Sequence, residues 1–156
     1  MNNELIYQKI YEMLVSANEK FNLTRITDYD DFITKHVKDS MLGLPLIKGK
    51  VLDIGSGAGF PGLVFAVENG SLDVTMLDSV GKKVNYVNTV ISALGLKNAR
   101  AIHSRVEDLP DKPTPIAQAS RKTARETSTA TLGPDFFLRF FTGFFFGFFF
   151  CGAGGT

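Results

Sequence analysis

The sequence predicts an α/β fold of the Rossmann-like kind, with N-terminal helices and a parallel sheet over residues 48–109. Short apolar runs at residues 51–54 and 74–78 are typical of buried parallel strands. Stretches with helical periodicity separate these runs from each other and from a third run at residues 99–103. The order strand–helix–strand–helix–strand favours right-handed crossovers in one parallel sheet.

Two helices are predicted ahead of the first strand, and together they form an N-terminal unit at residues 1–47. The first covers about residues 4–20, where apolar side chains recur every three or four positions. The second begins near Asp28, because a carboxylate is favourable at the positive end of a helix. It ends before Pro45, which cannot continue a helix.

The helices between the strands have their own local signals. Pro61 suits the first turn of the helix after the first strand, because the N–H that proline lacks has no intrahelical partner there. The helix after the second strand carries Val84 and Ile91 on one face and stops at Gly95. These signals support the Rossmann-like half at residues 48–109.

Residues 110–156 form a tail of different composition. Three prolines open it, a Ser/Thr/Ala-rich stretch follows, and a run of phenylalanines extends from Phe136 to Phe150. This run has no alternating or helical polarity, and it is shorter than the roughly 18–20 apolar residues that span a bilayer. We interpret it as sequence that departs from a normal coding frame or is poorly selected, and we expect no further strands from residues 110–156. A hidden strand or a membrane-surface segment is the alternative.

Composition bounds the class of protein. The chain has 156 residues, 44% of them hydrophobic, so it can bury the core of one domain. One cysteine excludes a disulfide scaffold, and the N-terminus lacks a signal-peptide pattern, so we expect a cytoplasmic protein without a membrane segment. The net charge of +1 gives little overall attraction to nucleic acid, and any such binding must come from a local patch.

The strongest chemical signal is the glycine-rich segment VLDIGSGAGFPG at residues 51–62. Glycines between a strand and a helix permit positive φ and let the backbone approach a ligand closely. The helix then points free N–H groups at a negatively charged part of that ligand. Asp78 ends the next strand, where a carboxylate can accept hydrogen bonds from both hydroxyls of a ribose. A nucleoside-containing cofactor is therefore predicted.

Two cofactors fit this segment. Residues 57–62 match G-x-G-x-x-G, and an acid about 20 residues later fits a reader of NAD(P), so an NAD(P)-dependent oxidoreductase is one candidate. Asp53, two residues before G-x-G-x-G, favours S-adenosylmethionine (SAM), as do the helices that precede the first strand. Glycines that serve only a tight turn are a third, structural interpretation.

Five motifs occur in order along about residues 5–109. They are Asn-Leu-Thr at 22–24, His-Val-Lys-Asp-Ser at 36–40, the glycine segment at 53–62, Leu-Asp-Ser-Val-Gly-Lys-Lys at 77–83 and Ser-Arg-Val-Glu at 104–107. This series resembles the bacterial small-subunit rRNA methyltransferase G family, also called glucose-inhibited division protein B. The resemblance implies a class I SAM-dependent methyltransferase fold and methylation of N7 of a guanine in 16S rRNA of the small ribosomal subunit.

The resemblance also implies the residues that bind the cofactor, which are Gly55, Gly57, Phe60, Asp78, Val106, Glu107 and Arg121. The glycine segment would contact SAM, Asp78 would hold the ribose, and Val106 and Glu107 would flank the adenine. Arg121 corresponds to an arginine within a Ser-Arg-Ala sequence of the family, but here Lys122 follows it.

The implied reaction needs no general base. Guanine N7 has a lone pair and no proton, so it can attack the sulfonium methyl group directly, and catalysis rests on alignment. No catalytic side chain and no metal are therefore expected. Arg25, His36 and Lys38 lie near the implied entrance and are candidates for binding RNA. For His36 the alternative is a histidine of the core, hydrogen-bonded for structure.

A class I methyltransferase sheet normally has seven strands, and three of them are recognisable here. Strands beyond the third help to form the far side of the cofactor cleft. The sequence therefore predicts weak SAM binding and leaves the activity of this form open. A non-enzymatic remnant of an interrupted reading frame is the third candidate function.

Overall fold

The computed structural model describes residues 2–108, 136–142 and 145–152 of the chain. The described strands are β1 (Lys50–Ile54), β2 (Asp73–Asp78), β3 (Ala99–His103), β4 (Phe136–Thr142) and β5 (Phe145–Gly152). They form one sheet in the order β3–β2–β1–β5–β4.

The helices alternate with the first three strands. The α-helices are α1 (Asn3–Phe21), α2 (Tyr29–Phe32), α3 (Asp39–Met41), α4 (Gly62–Glu68) and α5 (Gly81–Leu94). A π-helical segment, Ile33–Lys38, joins α2 to α3, and short 3-10 turns cover Leu44–Leu46 and Val106–Asp108. Among these described helices, none is both long enough and apolar enough to cross a membrane.

The two predicted N-terminal helices are present, and the second is more irregular than its pattern indicates. Asp28 caps it as predicted, because its Oδ1 accepts a hydrogen bond from the N–H of Asp31 at 3.0 Å. The π-helical segment then buries two consecutive residues, His36 and Val37.

The predicted parallel sheet is confirmed for β1, β2 and β3. β1 pairs in parallel with β2, and β2 pairs in parallel with β3. At the carboxyl end, Ile54 lies beside Leu77 and Asp78 lies beside His103. The segments that follow these three strands therefore meet at one edge of the sheet, where ligands of open α/β sheets bind.

The prediction that the phenylalanine-rich run adds no strands is wrong. β4 and β5 pair as an antiparallel hairpin, and β5 pairs antiparallel with β1, from Lys50 opposite Gly152 to Ile54 opposite Phe148. Phenylalanine has a high strand propensity, and without this partner β1 would be an edge with unpaired backbone groups. The alternative of a hidden strand is thus confirmed. With five described strands, the sheet remains smaller than the seven expected of a complete methyltransferase fold.

One hydrophobic core connects the N-terminal helices to the sheet. Its fully buried side chains include Ile10 and Leu14 of α1, Leu63 of α4, and Val74 and Met76 of β2. A boundary near residue 47 therefore does not separate two cores. The proposed division into residues 1–47, 48–109 and 110–156 stays a prediction.

Candidate cofactor site

The glycine segment turns sharply from β1 into α4. Gly57 and Gly59 have φ of 59° and 94°, a region that residues other than glycine rarely adopt. A Cβ on Gly59 would also lie 2.6 Å from Cδ1 of Leu63. The N–H groups of Gly55 and Ser56 both donate to the carbonyl of Leu77, at 2.7 and 3.0 Å. The loop is thereby fastened to the end of β2.

Asp78 faces this loop, as the sequence predicts. The N–H of Gly57 donates to its Oδ2 at 2.9 Å, and the N–H of Val80 donates to its Oδ1 at 2.8 Å. The residue is 7% exposed. Each carboxylate oxygen has a further acceptor site, so the group can still receive hydroxyl donors. Its backbone carbonyl accepts from the N–H of Ser104 at 3.2 Å, which connects the segment after β3 to the same place.

Asp53 is completely buried beneath the start of α4. Its Oδ2 accepts a hydrogen bond from the N–H of Gly62 at 3.1 Å, and its Oδ1 has no hydrogen-bond partner among the described residues. Burial is the main cause that raises the pKa of this carboxyl to about 8; the Gly62 hydrogen bond lowers the pKa and the nearby charge of Asp78 raises it. Asp53 is therefore hydrogen-bonded to the first residue of α4.

Phe60 points away from the exposed part of the loop and into the N-terminal helices. Its ring stacks on the imidazole of His36, with centroids 4.5 Å apart and planes 15° apart. Phe32 meets the same ring edge-on at 5.6 Å. Because Phe60 is 7% exposed, its ring serves packing in this structure, and its contact with SAM stays a prediction.

His36 is a core residue, not an exposed one. It is 5% exposed, and burial lowers the pKa of its imidazole to about 4, so the ring is neutral at physiological pH. This burial favours the alternative of a core histidine, and the contact of His36 with RNA stays a prediction. Helical periodicity alone could not distinguish the two.

The other predicted site residues divide into three groups. Val106, half-buried, and Glu107, exposed, follow β3 at the edge of the sheet that also holds Asp78. Arg25 and Lys38 are exposed on the N-terminal helical unit. Arg121 lies outside the described residues.

Sequence reasoning missed one polar side chain at this edge. His103 ends β3, and its Nε2 lies 3.0 Å from the backbone carbonyl of Ser79. A Cβ on Gly81 would lie 3.4 Å from Cε1 of this imidazole. Its position in the sequence could have indicated this, because the last residue of a parallel strand lies at the edge of the sheet where ligands bind.

Comparison with known proteins identifies the family. The family model described as GidB, rRNA small subunit methyltransferase G, matches residues 3–129. The chain belongs to the GidB family. The predicted resemblance is thereby confirmed, and with it the assignment to a methyltransferase family.

Individual relatives agree with the family model. Proteins named ribosomal RNA small subunit methyltransferase G are 48% identical over 109 residues in Clostridium botulinum (strain Alaska E43 / Type E3) and 42% identical over 112 residues in Trichodesmium erythraeum. These alignments cover 65% and 66% of this chain, and 46% and 44% of the relatives. A Nostoc relative is 34% identical over 141 residues, which is 85% of this chain and 58% of that protein. The chain spans about half the length of these curated relatives.

For a GidB chain, the described residues at the strand ends fit a small nucleoside ligand. No group of three potential metal-ligating side chains occurs in residues 2–108. Backbone N–H groups of a tight loop, one acidic side chain and the exposed residue Gly55 converge at the strand ends. Such a set provides hydrogen bonds and close backbone approach, and it offers no nucleophile–base pair.

Proposed function

We propose that this chain binds SAM at the carboxyl ends of β1, β2 and β3 and supports methyl transfer to N7 of a guanine in 16S rRNA. The observation that carries the proposal is the position of Asp78, whose carboxylate faces the glycine segment and is held by the N–H groups of Gly57 and Val80. Membership of the GidB family supplies the reaction class.

The residues around the loop would bind the ribose of the cofactor and the part of the cofactor that lies against the protein main chain. Asp78 would accept the ribose hydroxyls, Gly55 would let the ligand lie close to the main chain, and Val106 would cover one face of the adenine. Glu107, exposed beside it, would accept a hydrogen bond at the rim. When bound, SAM supplies an electrophilic methyl group on a sulfonium.

The protein's own contribution to the reaction would be alignment. Guanine N7 is unprotonated at neutral pH, so no side chain has to remove a proton, and the chain has to orient the two reactants in line. Arg25 and Lys38, both exposed, would bind the RNA backbone, since their charges are available to phosphates. The 16S rRNA of the small subunit is the proposed partner, in the cytoplasm.

A methyl-transfer assay tests the proposal. Full-length protein is incubated with methyl-labelled SAM and unmodified 16S rRNA, and the nucleosides are then separated for 7-methylguanosine. We expect label in that nucleoside alone. A chain that binds SAM and transfers no label would be a non-enzymatic remnant, which is the outcome that overturns the catalytic part of the proposal.

A further inference from the structure

A stack of side chains joins the N-terminal helices to the glycine segment. Oγ1 of Thr24 lies 3.4 Å from Nε2 of His36, and the imidazole of His36 stacks face to face on Phe60. Thr24 is 9% exposed, and the other two are more deeply buried. The stack therefore connects two of the sequence motifs, Asn-Leu-Thr and His-Val-Lys-Asp-Ser, to the third.

Thr24 is itself fixed in place by backbone contacts. Its N–H donates to Oδ1 of Asn18 in α1 at 2.9 Å, and its Oγ1 accepts from the N–H of Ile26 at 3.1 Å. The hydroxyl proton of Thr24 can then be donated to Nε2 of the neutral imidazole. His36 is also held from its own backbone, because the hydroxyl of Ser40 donates to its carbonyl. Polar contacts thus hold both the ring and the backbone carbonyl of His36.

Phe60 belongs to the same tight turn as Gly57. The N–H groups of Gly59 and Phe60 both donate to the carbonyl of Ser56, at 2.8 and 3.2 Å, and so close a tight turn around Gly57. Movement of the Phe60 ring would shift this turn. It would therefore also shift the Gly57 N–H that donates to Asp78.

We propose that His36 is a positioning residue for the cofactor loop, acting through Phe60 to keep the Gly57 N–H directed at Asp78. The inference rests on the proposed SAM site, but the loop geometry can be measured without the cofactor. An apolar side chain would fill the same volume with no cost of burying an imidazole, so volume alone does not explain a histidine here. A planar ring that stacks on Phe60 and also reaches the hydroxyl of Thr24 does.

The first test measures amide hydrogen exchange in the full-length protein without ligand. His36→Leu keeps an apolar side chain and loses the planar ring, whereas His36→Phe keeps a ring that can stack. We expect His36→Leu to accelerate exchange at residues 57–60 about three- to tenfold, the range of an aromatic pair, and His36→Phe, which can stack but loses the contact with Thr24, to accelerate it less. Ile10→Val, which truncates a side chain of α1 in the same core, is the control.

The second test measures the SAM dissociation constant by calorimetry for His36→Leu, Phe60→Leu and the double variant. If His36 acts through Phe60, the double variant binds no more weakly than Phe60→Leu alone. Independent, multiplicative losses would overturn the inference, and so would exchange at residues 57–60 that is unchanged or no faster than in Ile10→Val. Absence of SAM binding by the wild type would refute the proposed function instead, while the exchange experiment would still decide the role of His36.

Discussion

Gly57 and Asp78, which lie 21 residues apart in the chain, are joined by a hydrogen bond of 2.9 Å from the backbone of the first to the carboxylate of the second. The bond connects the segment after β1 to the end of β2. Since Oδ1 of Asp78 is held by Val80, one carboxylate organises both segments of the candidate site. Hydrogen bonds within the protein thus hold the two segments together.

Replacing this carboxylate should weaken cofactor binding strongly. Asp78→Asn loses one acceptor and the negative charge, and hydrogen bonds to charged groups contribute about 1.5–3 kcal/mol. We expect the SAM dissociation constant, measured by calorimetry, to rise about tenfold or more. Asp73→Asn is the matched control, because Asp73 begins the same strand and pairs with Arg100 at the surface. Equal losses in the two variants would contradict the role of Asp78.

Gly62→Ala should destabilise the fold through crowding under α4. The new Cβ would lie 2.4 Å from Cγ of Met76 and 2.9 Å from Oδ2 of Asp53. We expect a loss of about 1–3 kcal/mol in the free energy of unfolding, measured by urea denaturation. Gly70→Ala is the control, since a Cβ there meets nothing within 4 Å. A Gly62→Ala variant as stable as Gly70→Ala would show that this packing is wrong.

Asp53 should make the protein less stable as the pH rises. Its pKa is about 8 in the folded state against an ordinary value of 3.8, so between these values the folded state binds more protons than the unfolded state. The free energy of unfolding therefore falls with increasing pH in that window. Relative to Asp53→Asn, whose amide oxygen can still accept from Gly62, we expect a loss of about 1 kcal/mol per pH unit between pH 5 and 7. Parallel curves for the two proteins would exclude a buried titrating carboxyl.

His36 should have the opposite pH dependence. Burial lowers the pKa of its imidazole from 6.5 to about 4, so the unfolded state takes up a proton first as the pH falls. The free energy of unfolding should thus decrease from pH 6.5 towards pH 4, by up to ~1.4 kcal/mol per pH unit. The reference is His36→Phe, which cannot titrate. If thermal or urea denaturation gives the same slope for both proteins in this window, His36 is not buried as described.

Much of the fold could be predicted because its signals are local. The apolar runs of β1, β2 and β3 depend on neighbouring residues alone, and the glycine cluster marks a turn that needs positive φ. The orientation of Asp78 also follows from topology, since parallel strands that are adjacent bring their carboxyl ends to one edge. Asp28 caps its helix through a hydrogen bond from the N–H of Asp31, so four consecutive residues suffice to predict the cap.

The remaining features depend on contacts between distant parts of the chain. Periodicity placed His36 beside an apolar stripe, but it could not show that Phe60 would stack on it from a loop 24 residues later. The π-helical segment shifts the helix face at the same position. In the run from Phe136 to Phe150, uniform apolarity removes the alternation by which strands are recognised, although the strand propensity itself was high.

Calorimetric titration of the full-length chain with SAM tests the account most directly, with NADH as the comparison ligand. The account predicts saturable binding of SAM at one site per chain, weaker than a complete seven-stranded enzyme would achieve, and no binding of NADH. Saturable binding of NADH, or no binding of SAM at any accessible concentration, would contradict it.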